Sequence, residues 1–251
     1  MTETSTTPTP KKEQSPLAVP IAIVLAGALV AAAIIFSDKT APAAVAANPA
    51  ANVPAGPDAA VVKEILKIKP TDHVLGNPNA EIVFFEYSDL ECPFCKRFHE
   101  TMKQVLDRHG KDGKIAFVYR HFPLSIHPRS PKESEAAECV NALGGNDAFW
   151  KFVDHLFEIT PANNGFDPAK LPEVAVYAGV DKAAFQTCLD SGKMAARVQA
   201  DFTDGVNIGV RGTPFTMIVN TKTGKQVPIG GALPIEQVEI LLSSAQQAQA
   251  K

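Results

Sequence analysis

The sequence predicts an α/β fold of the order βαβ, helical block, ββα, and three observations carry that prediction. A near-continuous apolar run at 81–88 (EIVFFEYS) is followed by a helical pattern and then by a second apolar run at 115–119. The stretch after Pro123 reads as helix for about eighty residues, broken at Gly, Pro and Asn. The chain then returns to two strands joined by a Gly-containing turn and closes in an amphipathic helix.

Residues 1–16 are Thr, Pro, Ser and charge without apolar periodicity, and are expected to be disordered. Residues 17–36, from Leu17 to Phe36, carry no charge and as a helix would cross about 30 Å of hydrocarbon, so one transmembrane helix is predicted there. Lys11 and Lys12 precede it and only Lys39 follows closely, which keeps the N-terminus cytoplasmic and puts the rest of the chain outside. The alternative is a cleaved secretory signal, with Ala44, Val45 and Ala46 as a small-x-small site; the domain then reaches the same side as a secreted protein. Residues 37–57 are Ala- and Pro-rich and read as a tether. The folded part is expected over 58–249, with a helical insertion at about 125–208.

A short helix is expected over Ala59 to Leu66. The run at 81–88 has the composition of a central strand buried on both faces. From Pro93 to Arg108, the residues Phe94, Phe98, Met102, Val105 and Leu106 recur at three- and four-residue spacing and make one buried stripe. Ile115 to Tyr119 is the second strand, and the crossover requires the two strands to be parallel. Helices are expected at Pro131–Leu143, Ala148–Ile159, Leu171–Ala178 and Lys182–Val206. The aromatic cluster Phe149, Trp150, Phe152 and Phe157 reads as core packing. Phe215 to Asn220 and Gln226 to Ile229 form an antiparallel pair across the turn at 221–225, and Leu233 to Ala245 is the closing helix.

The net charge of −3 and the absence of any Lys/Arg-rich run argue against a nucleic-acid partner. Four cysteines are present, an even count that suits two dithiol pairs in an oxidising compartment. Cys92 and Cys95 enclose Pro93 and Phe94 where the first strand gives way to the first long helix. The unpaired N–H groups and positive dipole end of a helix start stabilise an anion there, so the first thiol should ionise readily. A CxxC is also half of a zinc site, but Cys139 and Cys188 stand alone on separate helical segments without a second ligand pair, so no metal is expected. Lys96 after Cys95 removes the c-type haem reading. Cys92, at the helix start, is assigned as an exposed nucleophile, and Cys95, one turn in, as the resolving thiol.

The segments FFEYSDLECPFC and VYRHFPLSIHP, a helical block and then GTPF before a strand together resemble the DsbA family of extracytoplasmic thiol:disulfide oxidoreductases over nearly all of residues 58 to 249. The resemblance implies a thioredoxin-like fold with inserted helices, and the redox-active Cys92-Cys95 disulfide in place of any cofactor. It implies a periplasmic location, reduced exported proteins as substrates, and a membrane partner for reoxidation or reduction. It implies a cis bond at Thr213-Pro214, where the family's backbone pairs with an extended substrate segment. It also implies an acid beneath the active-site helix, for which Glu86 is the candidate as a proton relay; alternation places Glu86 on one face with Phe84, while an exposed strand end is the bland reading. Phe94 departs from the more oxidising members, which place His there, so the direction of electron flow stays open between oxidase and isomerase or reductase. A redox-inert binding module or chaperone on the same fold is a further alternative. Cys139 and Cys188 are expected to form a structural disulfide, with two buried free thiols as the alternative. His121 and His127 read as surface loop residues without a role, and His73, His99, His109 and His155 show no constellation.

Overall fold

The computed structural model describes residues 58–247; the expected tail, membrane helix and tether lie outside the described residues. Among the described residues no helix is long and apolar enough to cross a membrane. The elements in chain order are α1 (Ala59–Ile65), β1 (His73–Gly76), β2 (Ile82–Ser88), α2 (Pro93–His109), β3 (Ile115–His121), α3 (Ser130–Ile159), α4 (Leu171–Tyr177), α5 (Lys182–Ser191), α6 (Ala195–Asn207), β4 (Phe215–Asn220), β5 (Gln226–Gly230) and α7 (Ile235–Gln246).

One five-stranded sheet has the order β1-β3-β2-β4-β5. β2 and β3 are parallel, as the crossover through α2 requires, and β4 and β5 are antiparallel additions. Every residue of β2 is buried, because α2, α3 and α7 cover one face of the sheet and α1 and α6 cover the other. Side-chain alternation therefore sends Ile82 and Phe84 into one core and Val83, Phe85 and Tyr87 into the second.

The arrangement of elements departs from the sequence reading at β1 and at the helix after Asp181. β1 is an additional edge strand, antiparallel to β3, too short at four residues to show any alternation. The helix expected across Lys182–Val206 is two helices, since Gly192 takes a left-handed conformation (φ 63°) that ends α5. The expected segments Pro131–Leu143 and Ala148–Ile159 are both present, as the two halves of α3 on either side of Gly145, whose φ of 78° and ψ of −175° break the helix. Cys139 on α3 is bonded to Cys188 on α5 across 49 residues, fastening the two helices together.

Closing a loop of that length restricts the unfolded chain by about 4 kcal/mol in the chain-entropy treatment. The double replacement Cys139→Ala and Cys188→Ala is expected to lower stability in urea denaturation by up to that amount while leaving the fold of the sheet intact.

Candidate active site

The turn after β2 aims the helix that follows. Asp89 Oδ1 accepts from Glu91 N at 2.8 Å, and Asp89 O accepts from Cys92 N at 3.1 Å. Asp89 Oδ2 accepts from Leu124 N at 2.7 Å and lies 2.9 Å from His127 Nδ1, so one buried carboxylate ties this turn to the loop after β3. Cys92 is the N-cap of α2, with extended backbone (φ −80°, ψ 120°), and Pro93 occupies the first turn, where its missing N–H leaves no helix bond unmade. Lys96 N donates to Cys92 O at 3.1 Å as the first bond of the helix.

The two sulfurs stand in opposite electrostatic environments. The Cys95 thiol, hydrogen-bonded to the Cys92 sulfur, lowers the Cys92 pKa to about 6; burial opposes this, and the Thr213 side chain and the N–H groups of Cys95 and Phe94 add to it. Cys95 is pushed well above its ordinary value by burial, by its bond to Cys92 and by the Glu86 carboxylate. Asp89 N donates to Cys95 Sγ at 3.4 Å.

Thr213-Pro214 is cis and enters β4 opposite the pair, and Cys92 Sγ lies 3.5 Å from Thr213 O. Cys92 is only 3 % exposed, which corrects the expectation of an open sulfur. The reason is local: Cys92 packs into the core beside Leu90 and Cys95, and the carbonyl before the cis-proline stands over its sulfur. Phe94 is instead 53 % exposed, with the Arg97 guanidinium 5.3 Å from its ring centre, so an aromatic face rather than an imidazole borders the pair.

Glu86 lies on the α2-facing side of β2, in register with Tyr119 on β3 and Thr216 on β4. Burial raises its pKa to about 8; the nearby Ser88 hydroxyl opposes this and the Cys92 charge adds to it. Glu86 Oε2, Ser88 Oγ, the Tyr119 hydroxyl oxygen and Thr216 Oγ1 are all buried without a hydrogen-bond partner among the described residues. On the other flank of Cys92, Glu91 and Glu133 are both buried, and burial together with the Glu91 carboxyl pushes Glu133 up to about 9. Asn164 N donates to Glu91 Oε2 and Asn163 N donates to Glu91 O at 2.7 Å, from a loop in which Ala162, Asn163 and Asn164 all have positive φ.

The structure brings Cys92, Cys95, Glu86, Phe94, Thr213 and Pro214 to one locus and puts the Cys139–Cys188 bond elsewhere, in the helical block. Sequence reasoning missed Asp89, Glu91, Glu133 and His127. Asp89 had a readable signal, an Asx two residues before a backbone donor at a turn; the others meet only through tertiary packing. His121 and His127 are buried rather than on the surface: His121 ends β3 with its N–H on Asp201 of α6 and its ring facing Glu138 of α3, and the His127 ring meets the buried Asp89.

Alkylation of the reduced protein is expected to strike Cys92 first, with a rate that falls as pH drops through about 6, while Cys95 stays unmodified. Because the folded thiol is more acidic than the unfolded value of about 8.5, the stability Cys92 gives the reduced form is complete above that pH. It declines as pH falls and is gone below about 6. Urea melts of reduced wild type and Cys92→Ser should differ by that slope, and an alkylation midpoint near 8.5 would contradict the assignment.

Residues 68–229 match the family model described as thioredoxin. Pseudomonas aeruginosa DsbA2 is similar in structure, with a TM-score of 0.63 and 26 % identity, covering 74 % of this chain and all of that one. Oxidised BdbD from Bacillus subtilis shares the fold with a TM-score of 0.60 and 22 % identity, covering 70 % of this chain and 94 % of that one. Na(+)/H(+) antiporter NhaA 1 of Mycolicibacterium gilvum is 34 % identical over 170 residues, which are 66 % of this chain and 26 % of that protein. The chain thus spans about a quarter of the length of the curated relatives it matches. With a CxxC heading the first long helix, a cis-proline facing it and helices inserted between β3 and β4, the chain belongs to the thioredoxin family in its DsbA-like form.

Proposed function

We propose that the chain is an extracytoplasmic thiol-disulfide oxidoreductase that exchanges the Cys92-Cys95 disulfide with cysteines of exported proteins as an oxidase. One observation carries this reading: two thiols a helical turn apart, the outer with a lowered pKa and the inner with a raised one. In the oxidising direction a substrate thiolate attacks Cys92 Sγ, the Cys92-Cys95 bond breaks, and Cys95 leaves as a thiolate that takes a proton. A second substrate thiolate then attacks its partner sulfur and displaces Cys92 as the stable thiolate, so the substrate dithiol is oxidised by two electrons and the enzyme disulfide is reduced. Glu86, buried beneath Cys95 with a pKa of about 8, is the group placed to supply and recover that proton. Thr213 offers its backbone to an extended substrate segment beside the pair. The match to part of membrane antiporters supports a module that works tethered to a membrane, in keeping with the apolar segment at 17–36 and with a membrane partner that resets the pair.

Phe94 favours a second reading, as isomerase or reductase. An aromatic ring adds no positive charge to the Cys92 thiolate, and a pKa of about 6 falls between thioredoxin, at about 7, and strongly oxidising DsbA, at about 3.5.

Equilibration of the full chain with glutathione buffers separates the two: a potential near about −120 mV fits an oxidase, and one near about −270 mV fits a reductant. Cys95→Ala is expected to accumulate mixed disulfides through Cys92, and a trap that forms only in the Cys92→Ala protein would reverse the roles. Folded Glu86 keeps its proton up to about pH 8 while the unfolded carboxyl loses it near about 4.3, so stability falls with rising pH across that window. Glu86→Gln is expected to remove both this slope and the pH dependence of reoxidation.

A further inference from the structure

Away from the redox pair, three residues from three elements meet inside the domain: His73 on β1, His121 at the end of β3 and Glu138 on α3. We propose that they form a binding site for a divalent cation of the zinc class.

The donor set suits that chemistry. Two imidazoles and one carboxylate offer three ligand atoms within 4.8 Å of one another, the two-nitrogen, one-oxygen set that zinc accepts with a fourth position left to water. Two ligands each about 2.0–2.1 Å from a tetrahedral zinc stand roughly 3.3 Å apart, by the geometry of the tetrahedron. His121 Nε2 is 3.3 Å from Glu138 Oε1, and His73 Nε2 is 2.8 Å from the same oxygen. On the His73–Glu138 edge the set needs to open by a few tenths of an ångström, and its widest edge is no more than 4.8 Å, so the three ligands close on an ion by small side-chain adjustments.

His121 points to a ligand independently of that spacing. It is fully buried, and neither ring nitrogen has a hydrogen-bond partner among the described residues, although Nε2 faces the carboxylate. A buried imidazole whose Nδ1 has no partner and whose Nε2 meets the carboxylate without hydrogen-bond geometry is under-satisfied, and a coordinated cation would engage Nε2. The rings are held in place for this: His73 stacks on Phe149 with centroids 3.5 Å apart, and Tyr119 packs edge-on to His121 at 5.2 Å.

Arg197 is the group that could compete for the carboxylate. Its Nε lies 3.7 Å from Glu138 Oε1 without a hydrogen bond, and its guanidinium is engaged instead by Asp201 and by Thr71 O. Asp201 therefore balances Arg197, and Glu138 stays available to the two histidines. The ion would clip the edge strand β1 and the end of β3 to α3, one residue from the Cys139–Cys188 bond.

The test uses the untagged full chain in detergent with Cys92-Cys95 and Cys139-Cys188 both oxidised, so that no thiolate can take up metal. Titration with zinc chloride by calorimetry is expected to show one ion per chain, and the thermal midpoint should rise with zinc and fall back with EDTA. Cobalt(II) should give the intense visible bands of a four-coordinate site. His121→Ala and Glu138→Gln should each weaken binding at least tenfold, whereas His109→Ala and His155→Ala, which alter surface histidines, should leave it unchanged. If His121→Ala does not fold, Glu138→Gln and the wild-type stoichiometry decide the matter. Wild type that binds no zinc, or binding that survives Glu138→Gln undiminished, overturns the proposal.

Discussion

The double-sided burial of β2 is the constraint on which the site depends. All seven of its residues are buried, and their alternation divides the apolar core between the two faces of the sheet. A one-residue slip in register would exchange those faces, sending Glu86 into the core that holds Phe85 and Tyr87 and Tyr87 toward α2. Because that exchange is prohibitively unfavourable, the exit of the strand is fixed, and with it the turn at 89–91 and the start of α2. The cysteines inherit their position from apolar packing on residues that take no part in the chemistry.

The asymmetry of the pair follows from where that helix begins. A residue at the N-cap faces the unpaired N–H groups, whereas a residue three positions later faces the sheet. The Cys95 thiol, helped by the amides of the helix start, thus makes Cys92 the better anion, while burial and the Glu86 carboxylate hold Cys95 as the thiol. A spacing of two intervening residues is what lets a single turn hold both environments and still keep the sulfurs within bonding reach.

Much of this was legible in the sequence because it rests on local patterns. The apolar run of β2, the stripe of α2 and the position of the CxxC between them are all short-range signals, and the β4–turn–β5 hairpin is another. β1 was not legible, because four residues cannot establish a period and its pairing partners lie 40 to 46 residues away. Nor was the burial of Cys92: it depends on the carbonyl of Thr213, brought over the sulfur from the far end of the chain. The histidines were misread for the same reason. His73, His121 and Glu138 carry no shared spacing in sequence and acquire a common environment only when an edge strand, a strand end and a helix pack together.

The charge balance around Cys92 is the remaining physical problem, and among the described residues hydrogen bonds rather than a cation resolve it. Four carboxyl groups, those of Glu86, Asp89, Glu91 and Glu133, lie buried on the elements that surround the pair, and an array of that sign would ordinarily drive a thiolate back to the thiol. Two of the four are spared that conflict by keeping their protons near neutral pH, since burial raises Glu86 to about 8 and burial with the Glu91 carboxyl raises Glu133 to about 9. The other two meet donors: Asp89 accepts from Glu91 N and Leu124 N and faces His127, and Glu91 accepts from Asn164 N. With the acids neutralised or hydrogen-bonded in this way, the Cys95 thiol and the amide groups of the helix start suffice to hold the negative charge on Cys92. A proton taken from Glu86 would place a second charge beside the pair, so ionisation of the dithiol and of that acid oppose one another, and the pair's readiness to exchange is tied to whether that one carboxyl is neutral.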